Sequence, residues 1–123
     1  MSCTPLYAPP EAILAHVARE QLTVTPALDI WALGVIIYEC LTGQVTFSRF
    51  SGMEEVLGCA QGTRPYPWER PAAEQPPEWR KARARPVFER CLARDPGLRP
   101  TASTLMQYVR RLDSMTTQHA DGA

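Results

Sequence analysis

Lysine occurs once in these 123 residues, at Lys81, and histidine twice, at His16 and His119. Two histidines so far apart, without ligand-spaced neighbours, exclude a histidine-built zinc site. The four cysteines, Cys3, Cys40, Cys59 and Cys91, form no C-x-x-C pair, so neither a disulfide framework nor a redox motif is indicated. No signal-peptide pattern precedes them, and they read as reduced, mostly buried thiols of an intracellular, cytoplasmic protein. Neither sign of charge prevails, because thirteen basic residues balance thirteen acidic ones. That excludes the basic excess of nucleic-acid-binding and membrane-surface proteins, and neither partner is expected. No stretch alternates as a strand does, and no internal repeat is visible.

What the chain does have is one segment that is apolar on every side of a helix. Ten of the thirteen residues from Asp29 to Leu41 are apolar, well short of the ~20 residues a bilayer crossing requires. A helix of that kind belongs in a core. Its opening carboxylate, Asp29, reads as an N-cap, since a carboxylate there is costly to desolvate unless backbone N–H groups satisfy it. Gly43 marks its end.

Amphipathic helices are expected around it. Ala12 to Arg19 fits a short one after Pro9-Pro10. Ser51-Gly52-Met53-Glu54 has the form of a capping box, followed by Met53, Val56, Leu57 and Ala60 at helical spacing and ended by Gly62. Pro86 fits the first turn of a helix that turns Val87, Phe88, Cys91 and Leu92 inward and stops at Asp95-Pro96. A last helix is capped by Thr101 and carries Leu105, Tyr108, Val109 and Leu112 on one face, with Arg110 and Arg111 near its negative end. Between Thr63 and Arg85, five prolines with Trp68 and Trp79 predict a structured but irregular loop. Residues 114–123 are polar and read as a disordered tail. The fold class is all-α, a central buried helix with amphipathic helices and proline-rich loops.

Three segments in order, Cys3-Thr4-Pro5-Leu6-Tyr7-Ala8-Pro9-Pro10-Glu11, the helix from Asp29, and Cys91-Leu92-Ala93-Arg94-Asp95-Pro96-Gly97-Leu98-Arg99-Pro100, resemble the lower half of a protein kinase C-terminal lobe. The first is similar to the family pattern G-T-x-x-Y-x-A-P-E, with Cys3 for Gly and Pro9 for Ala. On its own it is equally a proline-rich surface loop. The resemblance implies that Thr4 bonds the catalytic aspartate and lysine, as in serine/threonine kinases. It also implies that Glu11 and Arg99 form a buried ion pair, that Asp29 anchors the catalytic loop, and that Trp31 and Gly34 are structural. Glu39, the other charge on the central helix, becomes a substrate-docking candidate, although a solvent-facing end-of-helix residue explains it as well.

The resemblance implies that residues 1–113 are a partial kinase catalytic domain whose complete form transfers the ATP γ-phosphate, with magnesium, to protein serine or threonine. This sequence has no glycine-rich loop, no H-R-D loop and no D-F-G, and its one Asp-Gly pair is the terminal Asp121-Gly122. No cofactor or metal is therefore expected to bind this chain alone. The expected partner is a protein substrate, or the kinase segment that would cover the central helix. The alternative is a catalytically inactive kinase-like interaction module.

Overall fold

The computed structural model describes the backbone of residues 8–47 and 52–121, with side chains as far as residue 114. Among these residues there are helices and turns and no strand, as the all-α reading expects. Six α-helices follow one another: α1 (Pro10–Val17), α2 (Pro26–Thr42), α3 (Met53–Gln61), α4 (Pro77–Arg80), α5 (Arg85–Cys91) and α6 (Ala102–Asp121).

Proline and glycine set most of the boundaries. Pro10, Pro26, Pro77 and Pro86 each stand in the first two positions of a helix, where a missing N–H costs nothing and the fixed φ is already helical. Gly43 and Gly62 close α2 and α3 at φ of 68° and 85°, the left-handed conformation a side chain disfavours. At the start of α6 the Thr101 Oγ1 accepts the Thr104 N–H at 3.1 Å, the cap expected there.

Three expectations are corrected. Asp29 is not the N-cap of α2: Pro26 starts the helix one turn earlier, Thr25 is the capping position, and Asp29 is exposed in the first turn. A carboxylate still suits that place, facing the positive end of the helix dipole. The stretch from Thr63 to Arg85 is more regular than a loop. It holds two 3-10 turns, Pro67–Glu69 and Ala72–Glu74, and then α4. Its prolines preset the φ of the turns that follow them, and buried Gln75 ties the turns together by donating to the Pro67 and Arg70 carbonyls at 3.0 and 2.8 Å. Finally, α6 is continuous to Asp121, through residues expected to be a disordered tail, because no proline or glycine interrupts it before Gly122. The start of α3 is capped by Gly52 with no side-chain bond, and Ser51 lies outside the described residues.

The core forms where the inner stripe of α2 meets the proline-rich segment. Trp31, Val35 and Tyr38, each 1% exposed, stand one turn apart on α2. Tyr66, Trp68 and Trp79 come to them from the turns and α4. The rings meet edge to face, with Trp31 at 5.1 Å from Tyr66 and Tyr38 at 5.0 Å from Trp79, while Tyr66 and Trp68 stack at 5.0 Å. Such pairs add about 0.5–1.5 kcal/mol each beyond their burial. A second, smaller cluster of Ile30, Cys91 and Leu105 joins α2, α5 and α6. Of the expected inward face of α6, Leu105 is buried, Tyr108 and Leu112 are half-buried, and Val109 is 38% exposed.

Candidate functional site

Arg99 sits in the connection between α5 and α6, just after a 3-10 turn at Pro96–Leu98. Its side chain is wholly inaccessible to solvent. A buried guanidinium is tolerable only if its five N–H donors all find acceptors, and here they do. Nη1 and Nη2 donate to the two carboxylate oxygens of Glu11 at 2.6 and 2.8 Å. The other three bonds go to backbone carbonyls: Nε to Ala93 at 2.9 Å, Nη1 to Ala27 at 3.1 Å and Nη2 to Arg94 at 3.3 Å. The guanidinium also lies 5.1 Å from the ring centre of Trp31. One side chain thereby fastens α1, the first turn of α2 and the loop before α6, bridging residues 88 apart in sequence.

A second clamp was not foreseen. Arg94 Nε and Nη2 grip the Glu69 carboxylate at 2.7 Å each, and Nη1 donates to the Cys59 carbonyl at 2.6 Å. Its guanidinium stands 4.9 Å from the Tyr66 ring centre. The Glu69 Oε1 also accepts the Tyr66 N–H at 2.8 Å. This clamp holds the end of α3 and the aromatic turn against the loop after α5. Its hydrogen bonds to Glu69 raise the Arg94 pKa, and burial pushes the Tyr66 hydroxyl well above its ordinary value. Neither Glu69 nor Arg94 stands at a spacing that marks a pair, so the sequence carries no signal for it.

The remaining site residues fall as follows. Gly34 packs tightly against the end of α5: a Cβ there would lie 2.9 Å from the Cys91 Cβ and 3.0 Å from Leu92. Trp31 is the centre of the aromatic core. Glu39 accepts the Thr46 N–H at 2.9 Å, closing the turn after α2. Thr4 lies outside the described residues. On the outer side of α2, Leu33, Ile36 and Cys40 are exposed, the two aliphatics at 37% and 45%. Glu11, Arg99, Trp31 and Gly34 are thus brought into one unit, whereas Asp29 and Glu39 stand at its two ends.

Chemically this arrangement positions segments. Among the described residues no three His, Cys, Asp or Glu side chains are grouped to hold a metal ion. No helix among them is long and apolar enough to cross a membrane.

The protein kinase domain model matches residues 1–109. The chain is 32% identical over 120 residues to the serine/threonine-protein kinase PkaA of Streptomyces coelicolor, covering 98% of this chain and 19% of that protein. It is 31% identical over 119 residues to the ovarian-specific serine/threonine-protein kinase Lok of Drosophila melanogaster, covering 95% of this chain and 23% of the relative. With mitogen-activated protein kinase kinase kinase 3 of Arabidopsis thaliana it shares 29% over 107 residues, 85% of this chain and 15% of that one. The chain therefore spans about a fifth of the length of the first two of these relatives. From a match over nearly its whole length, and with Glu11 and Arg99 paired where the family pattern puts them, the chain belongs to the protein kinase domain family, among serine/threonine-protein kinases.

Proposed function

We propose that residues 1–113 are the distal part of the C-lobe of a serine/threonine protein kinase catalytic domain. In the complete domain, ATP and magnesium are held by segments other than these, and the γ-phosphate passes to a serine or threonine hydroxyl of a protein substrate. The observation that carries this reading is the five-bond seat of Arg99 on Glu11 and three backbone carbonyls. It fixes α1 relative to the first turn of α2, and positioning is most of what phosphoryl transfer asks of a protein. In this reading Thr4 contacts the catalytic loop, Asp29 anchors that loop from the exposed first turn of α2, and Glu39 faces substrate. The protein acts inside the cell, in the cytoplasm.

A second reading, a catalytically inactive kinase-like interaction module, is favoured by the exposed Leu33 and Ile36 on α2, a face that a partner could cover. Two measurements separate the readings. Calorimetry of this chain with ATP and magnesium should give no binding heat, and micromolar affinity would overturn the assignment of the nucleotide site to other segments. Phosphotransfer by the complete gene product to a serine- or threonine-containing protein is expected for a kinase. A complete product that neither binds ATP nor transfers phosphate leaves the interaction module.

A further inference from the structure

Charge is balanced over the whole chain but not along it. Residues 80–90 carry five cations, Arg80, Lys81, Arg83, Arg85 and Arg90, against one carboxylate, Glu89. That carboxylate is engaged by Arg85, Nε to Oε1 at 2.9 Å. Among the described residues, Arg80, Lys81, Arg83 and Arg90 are exposed and none is in an ion pair. Crowding like charges costs stability, and nothing in the packing of α4 or α5 requires it, since the buried residues there are Trp79 and Cys91.

Beside this run lies a shallow cleft of about 200 Å³ lined by Pro86, Val87, Arg90 and Tyr108. Its floor is apolar. At its rim Arg90 Nη1 donates to the Tyr108 hydroxyl at 2.8 Å, with the guanidinium 5.4 Å from the ring centre, so the cation is held in place before any ligand arrives. Arg111 follows one turn after Tyr108 on the same side of α6. The cleft is smaller than the ~300–1,000 Å³ of a typical small-molecule pocket and suits a single side chain.

We infer that the segment joining α4 to α5 and the cleft between α5 and α6 together dock an acidic protein segment, seating one apolar side chain over Pro86 and Val87 with its carboxylates on Arg83 and Arg90. An acidic peptide fits better than a nucleic acid because the face of Tyr108 is taken by Arg90, leaving no stacking platform for a base. Guanidinium groups bind carboxylates in forked pairs, which gives such a site geometric selectivity.

The test is fluorescence anisotropy of the full chain with a labelled peptide, Glu-Asp-Glu-Leu-Asp-Glu-Glu. Saturable binding is expected, at least tenfold weaker for a Lys81→Glu/Arg83→Glu variant and markedly weaker when salt is raised from about 50 to 300 mM. Both substituted residues are exposed and outside the core, so the variant's thermal melt should match the parent's. A peptide with Leu changed to Ser tests the apolar seat without touching the protein and should bind several-fold more weakly. Mixed-sequence single-stranded DNA and phosphatidylserine vesicles should bind at least tenfold more weakly than the peptide. No saturation at millimolar peptide, an affinity unchanged by the double charge reversal, or tighter binding of DNA or vesicles would each overturn the inference. None of these readouts depends on kinase activity.

Discussion

Replacing Glu11 by alanine isolates what the Arg99 clamp contributes. Arg99 has no solvent-accessible side-chain surface, whereas 25% of the Glu11 side chain is accessible. Truncating Glu11 therefore strands a buried cation that keeps its three carbonyl bonds but loses both charge-assisted ones. Breaking a buried pair in this way costs about 3–5 kcal/mol. Because Glu11 is partly open, water can reach the vacated side, which places the expected loss near the lower end, about 3 kcal/mol. For a domain of this size that is a fall in Tm on the order of 10 °C. Urea titration of the full chain measures it directly, with an unchanged slope if only the folded state is affected. The double variant Glu11→Leu/Arg99→Met should recover much of the loss, since an apolar pair avoids the stranded charge. A loss under 1 kcal/mol for Glu11→Ala would refute the reasoning, because it would mean that Arg99 is satisfied without its carboxylate.

Four further outcomes follow from the packing. Gly34→Ala should destabilise the chain by about 1–3 kcal/mol, through contacts of 2.9–3.0 Å with Cys91 and Leu92 on α5, whereas Ala at exposed Gly52 should be nearly neutral by the same urea assay. Alkylation at pH 8 followed by mass spectrometry should label exposed Cys40 and spare Cys59 and Cys91 until the chain unfolds, since burial pushes the Cys91 thiol up to about 11. A thiol raised from 9.0 in this way stabilises the fold in full below about pH 9, and that contribution is lost as pH rises toward about 11, so alkaline melts should fall over that window. Leu33→Glu/Ile36→Lys should reduce dye binding and self-association of the chain in ultracentrifugation without lowering its Tm. A Tm lowered by several degrees would mean that the outer face of α2 is packed in the folded chain.

Much of this arrangement could be read in the residues, and what could not has physical causes. The Glu11–Arg99 pair was legible because a family pattern names both partners. Spacing alone says nothing about residues 88 apart. The ends of α2 and α3 were legible because only glycine adopts φ of 68° and 85° without strain. The start of α2 was misplaced because two N-terminal signals competed: a carboxylate cap at Asp29 and a proline at Pro26. The proline wins, since its φ is helical already and Thr25 before it is extended. The same property turned a proline-rich stretch into a series of short helical turns. Its prolines marked where turns begin, but nothing in their spacing said that the turns would bring Tyr66, Trp68 and Trp79 onto one helix face. The Arg94–Glu69 clamp depends on that delivery and was invisible for the same reason.

The aromatic delivery also changes the balance on the central helix. A helix apolar on all sides, covered over only part of its circumference by the amphipathic helices around it, is expected to leave some large side chains in water. Instead Trp31, Val35 and Tyr38 are sealed by the proline-rich segment, and the exposed aliphatic surface is confined to Leu33 and Ile36 on one stripe. Leu33 and Ile36 are 37% and 45% exposed, so the burial they forgo is roughly 1–2.5 kcal/mol together. Against it stand two arginine clamps and an interlocked set of rings, all drawn from within this chain. The inner face of α2 is therefore sealed by segments this chain supplies itself, while Leu33 and Ile36 on its outer face stay exposed. That division gives α2 one side whose geometry Glu11 and Arg99 set, and another that carries its exposed aliphatic surface.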